Sequence, residues 1–533
     1  MPHNLEASSS DPCVQQLAPF WSIVAGAGRA AEGLRNDWQQ HLQYVKTALG
    51  HKYVRFHGRF HDDMFVYNEV DGRVTFNFQY VDALIDAMLD IGVRPFVEFA
   101  FMPSAIATKL NTTFWWNGHG SPPTDLSKWE DMIRATMEHW QERYGTEKLE
   151  QWYFEVWNEP NLDGFWSGTR SQYYELYEAT VKVVKGTGSK LRVGGPATSN
   201  FVPDTRFDGE LEDLEVQKKL ADTYRPKISS LEMEARVGGA FLELGAFSES
   251  PRGLCVLSPI PNRWALDKTG NQSRRVRHLD ATPEDLSLLR EIVSKSPCPN
   301  AEIHVTEWNS SPSSRDHNHD YVPAATYLAR TMLASQGKID SIAYWTFTDV
   351  FEEEGAGIEP FHGGFGLVNL QGIPKPTFHA FKILQSLGDQ ILEYNKSDGA
   401  IVRNSKSGLL SALLFHYPPE LKTSPPPAYK NRSVAHEAVS TGEPVRKSIL
   451  IRGLRPGAVF KKETLTPGGQ GDVVSAWEKL GSPMHLTRET TEFLRSYATT
   501  LPTELIKADS EGNLLVEQGL APWTLVAINQ IVA

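Results

Sequence analysis

The most restrictive feature of the sequence is an alternation of short apolar runs and longer helical patterns over residues 20–390. The apolar runs are rich in β-branched and aromatic residues, and the stretches between them carry apolar residues at three- and four-residue spacing. This rhythm is typical of a parallel sheet covered by helices, because parallel strands need long crossover connections.

The alternation predicts seven strands, with helical stretches between most of them. The candidate strands are 20–25, 53–57, 94–101, 152–158, 191–194, 302–308 and 341–347. An eighth unit is expected between residues 200 and 282, where 256–260 is the best candidate strand. The count favours a (β/α)8 barrel, an α/β fold. A doubly wound open sheet is the alternative, although no Gly-x-Gly-x-x-Gly follows any candidate strand.

The character of the chain changes after about residue 395. Pro-rich and polar segments there separate short alternating runs, which is typical of an antiparallel β-sandwich. We therefore divide the chain into an N-terminal extension (1–19), a barrel (20–390) and a C-terminal β-sandwich accessory domain (391–533). Within the barrel, the segment 206–262 is anomalous because it lacks a clear strand and helix pattern.

Composition excludes several classes of protein. A net charge of −12 argues against a nucleic-acid-binding surface, and no apolar run is long enough to predict a membrane span. The three cysteines form neither a disulfide framework nor a zinc pattern. The N-terminus lacks a basic region followed by an apolar run, so we expect a cytoplasmic protein, or an extracellular one if the N-terminus is incomplete.

Two glutamates stand at the ends of candidate strands. Glu159 closes the run 152–158 and Glu307 lies at the end of 302–308, where barrel enzymes carry their catalytic groups. About three βα units separate them, so a closed barrel places them on facing sides of its mouth. One protonated and one ionised acid in that position suit glycoside hydrolysis. The alternative is that both are helix caps or members of loop ion pairs.

The neighbours of these glutamates fit a sugar site. Asn158 offers an amide to a sugar hydroxyl and to the opposing carboxylate, and Trp157, Trp308 and Trp345 offer flat apolar faces. Other acids have simpler interpretations. Glu98 and Glu155 lie deeper along their strands and are predicted to be paired core acids. The run 316–320, Asp-His-Asn-His-Asp, is predicted to be a loop without metal.

A set of motifs, in a fixed order along residues 50–380, resembles glycoside hydrolase family 39. The blocks are Arg55-Phe56-His57-Gly58, Phe114-Trp115-Trp116, Trp157-Asn158-Glu159-Pro160-Asn161-Leu162, Gly194-Gly195-Pro196, Val305-Thr306-Glu307-Trp308-Asn309-Ser310, Tyr344-Trp345-Thr346-Phe347 with Glu352-Glu353, and Phe361-His362-Gly363-Gly364. The Asn-Glu-Pro triplet alone is shared by many barrel glycosidases, so the specificity lies in the combination.

The resemblance implies a retaining exo-glycosidase with Glu159 as general acid/base and Glu307 as nucleophile. It also implies carboxyl groups about 5–5.5 Å apart, a glycoside or oligosaccharide substrate, and no cofactor or metal. The residues it implies for binding the donor sugar are Asn158, Arg55, His57, Phe165, Trp345 and Glu352 or Glu353. The β-xylosidase branch of the family fits better than the α-L-iduronidase branch, because the sequence shows no cationic clamp for a uronate.

One departure from the family pattern concerns the sixth strand. Family members carry a His-x-Tyr-Pro motif at its end, whereas residues 256–264 read Val-Leu-Ser-Pro-Ile-Pro-Asn-Arg-Trp. Two explanations stay open: real remodelling that impairs the pocket, or a translation artefact such as a frame shift or a retained intron. Real remodelling defines a competing hypothesis from another class, a catalytically impaired carbohydrate-binding barrel.

Overall fold

A closed barrel of parallel strands forms the first part of the molecule. The computed structural model describes residues 3–109, 111–162, 164–198, 254–257, 262–266, 272–276, 279–421 and 431–532. The barrel strands are β1 Val24–Arg29, β2 Tyr53–His57, β3 Arg94–Phe99, β4 Tyr153–Val156, β5 Arg192–Thr198, β6 Leu254–Leu257, β7 Glu302–Trp308 and β8 Ser341–Tyr344. Pairing of β8 with β1, at Tyr344 and Ala25, closes the sheet. The predicted barrel is confirmed, and its sixth strand overlaps the candidate at 256–260.

Amphipathic helices cover the outside of the barrel. In the described residues they are α1 Asn36–Leu49, α2 Gln79–Ile91, α3 Leu126–Tyr144, α4 Arg170–Thr187, α5 Ala281–Ser294, α6 Val322–Ala334 and α7 Pro376–Gln385. Helix α2 shows the pattern: it buries Val81, Leu84, Ile85 and Met88, which lie on one face at helical spacing. No helix in the described residues combines the length and the apolarity that crossing a bilayer requires.

The first strand lies four residues later than predicted. Phe20–Ser22 forms a 3-10 turn, and the strand is Val24–Arg29, whose small residues hide its strand pattern. Gly26 shows why small residues are needed there, because a Cβ at this position would come within 2.8 Å of the Trp345 ring and of the Tyr344 carbonyl oxygen. A glycine inside a strand therefore marks close contact between neighbouring strands.

The C-terminal part forms two sheets that share a core. The larger sheet contains, in spatial order, Gln15–Gln16, Gln390–Asn395, Gly399–Arg403, Leu410–Phe415, Leu525–Val532, Val459–Leu465 and Thr503–Lys507, and the smaller contains Leu5–Ser8, Val445–Arg452 and Leu514–Leu520. Buried side chains from both sheets, among them Ile401, Ile449 and Ile528, form one cluster. This arrangement confirms the predicted β-sandwich.

Two features of the C-terminal part go beyond the sequence prediction. Three helices, Arg432–Val439, Val473–Lys479 and Arg488–Thr499, form a second cluster that includes Phe361 of the barrel loops. The segment treated above as an N-terminal extension supplies Leu5–Ser8, which pairs in parallel with Ile449–Arg452. The division of the chain into three segments stays a prediction.

A buried lysine ties the loops after β7 and β8 to the start of α7. The Lys375 ammonium lies 2.8 Å from Asp320 and 2.9 Å from Asp349, and it donates to the Gly364 carbonyl oxygen at 2.7 Å. All three charged side chains are buried. Burial alone would raise the pKa of Asp349, but Lys375, His362 and the Gly366 N–H together hold it below its usual range. The triad therefore fixes two loops at the mouth of the barrel.

We expect Lys375→Met to lower the free energy of unfolding by about 3–5 kcal/mol, because two buried carboxylates lose their counter-charge. Chemical denaturation followed by circular dichroism measures this difference. Lys382→Met, on the exposed face of the same helix, is the matched control and should change stability by less than about 0.5 kcal/mol. Equal stability of the two variants would contradict a structural role for the triad.

Candidate active site

The two strand-end glutamates lie at the same end of the barrel. Glu159 follows β4 and Glu307 is the penultimate residue of β7, and both side chains are buried. The Glu159 backbone adopts a left-handed conformation (φ 43°), and its N–H donates to the Ala197 carbonyl oxygen in β5 at 2.9 Å. This cross-strand bond holds an otherwise unfavourable backbone conformation in place.

Arg55, on β2, contacts acids from three other barrel strands, β3, β4 and β7. Its guanidinium donates to both oxygens of Glu155, at 3.0 and 2.7 Å, and to Asn158 Oδ1 at 2.7 Å. Its Nη2 also lies 2.6 Å from Glu98 Oε2, and its Nη1 contacts Glu307. The prediction that Glu98 and Glu155 are paired core acids is confirmed, because one cation holds both.

Asn158 is oriented by this arginine. Because its Oδ1 accepts from Arg55, its amide nitrogen points the other way. That nitrogen is buried and has no hydrogen-bond partner among the described residues. Buried donors are almost always paired in native structures, so this one is suited to a ligand hydroxyl.

His57 lies between the buried acids and the pocket. Its Nδ1 is 2.8 Å from Glu98 Oε2, whereas its Nε2 is 3.3 Å from Glu307 and 3.8 Å from Glu353. Burial, aided by Arg55 and opposed by Glu307, lowers the pKa of His57 to about 3, so the ring is neutral at ordinary pH. Both ring nitrogens nevertheless face carboxyl groups.

The structure distinguishes the two acids that the sequence left as alternatives. Glu352 is held on the rim by Arg29 at 3.1 Å and by Arg35 at 2.9 Å. Glu353 instead faces His57, and burial together with Glu307, Glu32 and Glu159 raises its pKa well above the usual range. Glu353 is therefore the acid of this pair that lies inside the site, beside the same His57 nitrogen that is close to Glu307.

Aromatic side chains form the pocket walls, but not all those expected. The Trp345 ring centroid lies 4.9 Å from that of His57, and Phe114 stacks on His57 with centroids 5.8 Å apart. Phe165 packs against Phe114 with centroids 5.3 Å apart. The sequence did not single out Phe114 as a pocket residue, although the aromatic triplet 114–116 was a signal for it.

The expectation that Trp157 and Trp308 face a sugar is wrong. Trp157 is fully buried and donates its indole N–H to the Phe165 carbonyl oxygen at 2.9 Å. Trp308 is also fully buried and stacks on Tyr327 of α6, outside the barrel. Trp308 follows Glu307 by one position, so alternation along the strand turns it to the opposite side. Trp157 lies two positions before Glu159, where alternation would give it the same side, but its left-handed backbone conformation (φ 70°) interrupts the strand.

Three side chains with metal-ligand chemistry lie close together. Ligand atoms of His57, Glu98 and Glu307 are within 4.8 Å of one another. Arg55 contacts both carboxyl groups, so a guanidinium already supplies the positive charge that a metal would bring. In the run 316–320, Asp320 is bound by Lys375 and His319 bonds the Gly363 carbonyl oxygen at 2.9 Å. The expectation of no metal stays a prediction.

The sequence departure near the sixth strand lies largely outside the described residues. The backbone of β6 is described as far as Leu257, but residues 199–253 and 258–261 are not. Most of the anomalous segment 206–262, including the positions directly after β6 where the family motif was expected, therefore stays a matter for the sequence alone.

Comparisons with known proteins agree with this geometry. The family model "Glycosyl hydrolases family 39" matches residues 7–209 and 268–504, and passes over 210–267. A beta-xylosidase of Geobacillus stearothermophilus is 34% identical over 96% of this chain and 93% of its own, and one of Caldicellulosiruptor saccharolyticus is 32% identical over 97% and 92%. The crystal structure of a monomeric beta-xylosidase from Caulobacter crescentus CB15 superposes with a TM-score of 0.80 at 27% identity, covering 99% of both chains.

Proposed function

The chain belongs to glycosyl hydrolase family 39, and from this membership we propose a retaining, β-xylosidase-like exo-glycosidase that uses Glu159 and Glu307. It is a glycoside hydrolase, and its relatives over nearly the whole chain are beta-xylosidases. The roles of individual residues and the identity of the sugar are the parts that need experimental tests.

The reaction proceeds in two displacements. Glu307 attacks the anomeric carbon while Glu159 gives its proton to the departing glycosidic oxygen, which leaves a covalent glycosyl-enzyme. Glu159, now ionised, then removes a proton from a water molecule that attacks the same carbon and frees Glu307. Two inversions return the original anomeric configuration in the product.

One observation carries this assignment: Glu159 and Glu307 are both buried at the carboxyl ends of β4 and β7, two strands on different sides of one closed barrel. The raised pKa of Glu353, to which burial and then both of these glutamates contribute, is consistent with that position. The amide nitrogen of Asn158, for which the described part of the chain supplies no partner, adds a donor suited to a hydroxyl of the bound sugar. Arg55 contacts Glu307 and so places a positive charge beside the carboxyl group of the proposed nucleophile.

The charges around Arg55 favour a neutral sugar over a uronate. Arg55, the guanidinium at the centre of the described part of the site, is engaged by Glu98, Glu155 and Glu307. A uronate carboxylate would therefore compete with three acids for it. A xyloside has no charged group and needs no such partner.

The test is hydrolysis of an aryl β-D-xyloside by the purified protein, followed by proton NMR during the first turnovers. We expect β-xylose to appear first and to mutarotate later. An initial α-xylose signal would contradict a retaining mechanism. Binding of xylo-oligomers without hydrolysis of any aryl glycoside would instead support the impaired carbohydrate-binding barrel.

A further inference from the structure

The contacts of His57, the histidine beside the proposed nucleophile, restrict where protons can lie around its ring. His57 is fully buried, and each of its two ring nitrogens lies close to a carboxyl oxygen. A neutral imidazole has one N–H donor and one lone pair. If Glu98 and Glu307 were both ionised, one of the two contacts would bring a nitrogen lone pair against a carboxylate.

The conflict disappears if one of these two acids carries a proton. Glu307 has to be ionised to attack a sugar, and Arg55 contacts it directly. Glu98 lies below His57 and is completely buried, and its second oxygen, Oε1, has no hydrogen-bond partner among the described residues. Leaving a bare carboxylate oxygen in the interior costs more than leaving the carbonyl oxygen of a neutral acid. The proton therefore belongs on Glu98.

We propose that Glu98 is a positioning residue: its carboxyl proton, donated to His57 Nδ1, fixes the histidine tautomer that presents Nε2–H to the substrate pocket. The proton sits on Oε2, which is 2.8 Å from His57 Nδ1, and the same oxygen faces Arg55 Nη2 at 2.6 Å. An O–H group can donate to the imidazole and accept from the guanidinium at once. His57 is then a fixed donor beside Glu307 and the sugar.

The surrounding charges are consistent with a protonated Glu98. Arg55, His57 and Arg59 face it from β2 and the loop that follows, Glu155 faces it from β4, and Glu307 from β7. Burial raises the pKa of Glu98 to about 7, although Arg55 and Arg59 oppose the shift. Burial raises the pKa of Glu155 as well, to about 8, against the opposing charge of Arg55. Glu155 nevertheless accepts hydrogen bonds from Arg55 on both of its oxygens, whereas Glu98 Oε1 has no partner among the described residues, so the geometry gives Glu155 the better paired carboxylate.

The proposal deepens the proposed function and rests on it only for the role of the Nε2–H in binding a sugar. The tautomer itself is measurable by ¹H–¹⁵N correlation spectra of the full chain with ¹⁵N-labelled histidine, in which His57→Asn identifies the signal. At mildly acidic pH we expect a neutral His57 ring with a proton on Nε2. The Nε2–H signal should be lost as the pH rises above about 7, where Glu98 gives up its proton. A protein without glycosidase activity could still show this signal, so the two proposals fail separately.

The isosteric variant Glu98→Gln tests whether the proton of Glu98 fixes the His57 tautomer. Its amide oxygen turns toward Arg55 and so accepts from His57 Nδ1, which moves the proton from Nε2 to Nδ1. We expect kcat/KM for an aryl xyloside to fall about 10–100-fold, the usual effect of losing a group that orients a site residue. Glu142→Gln, at an exposed position of α3, is the control and should leave the tautomer unchanged.

Three results would overturn the proposal: a wild-type His57 protonated on Nδ1, a wild-type imidazolium at mildly acidic pH, or an unchanged Nε2–H tautomer in Glu98→Gln. Because the first two are read from the wild-type protein, the proposal stays testable even if the variant fails to fold.

Discussion

Replacement of Glu307 by Gln should reduce kcat for an aryl β-xyloside by at least about 10⁴-fold, the order of loss seen when one member of a catalytic unit is removed. The amide cannot form the glycosyl-enzyme, and Arg55, which contacts the carboxylate in the native protein, would keep its other acidic partners. Binding of xylose, measured by calorimetry, should persist because the pocket walls are unchanged.

The matched control for this variant is Glu291→Gln, which removes the same charge from the exposed face of α5. It should keep wild-type turnover. Residual activity of Glu307→Gln above about one per cent of wild type, with deamidation excluded by mass spectrometry, would contradict the nucleophile assignment.

Replacement of Glu159 by Ala should have an effect that depends on the leaving group. We expect kcat/KM for xylobiose, whose leaving alcohol needs a proton, to fall about 10²–10⁴-fold, the contribution of general acid catalysis. For a dinitrophenyl xyloside the first step needs no proton, so kcat/KM should change little while kcat falls because water is no longer activated. Azide should then restore kcat and yield β-xylosyl azide.

Glu147→Ala, which lies exposed in the short helix Thr146–Leu149 before β4, is the control for that variant. A uniform loss for all leaving groups, without rescue by azide, would mean that Glu159 does not act as the acid/base.

Much of the fold follows from local pattern. The strands that were predicted well, such as β2 and β7, are rich in β-branched and aromatic side chains. Strand β1 was misplaced because its Val-Ala-Gly-Ala-Gly core has little β propensity. Small residues are needed there because Trp345 lies too close to leave room for a larger side chain. The helix Val473–Lys479 was missed because it is buried through Trp477, which packs against residues distant in the sequence.

The site shows a similar limit. Strand ends and motif order were enough to place Glu159 and Glu307 at one end of the barrel. They could not decide between Glu352 and Glu353, since a one-residue difference in a loop turns one acid toward Arg29 and the other toward His57. Nor could they show which tryptophans face inward, because the direction of Trp157 depends on its left-handed backbone conformation (φ 70°).

The pairing of Leu5–Ser8 with Ile449–Arg452 has a consequence for biosynthesis. A ribosome makes the first strand of this sheet more than 400 residues before its partner, so the N-terminal segment has to wait unpaired while the whole barrel is translated. During that interval the nascent chain carries an open strand edge, and a C-terminal fragment made alone would carry the complementary edge along Ile449. Completion of the small sheet is thus a late event, because it needs strands that are synthesised before and after the barrel.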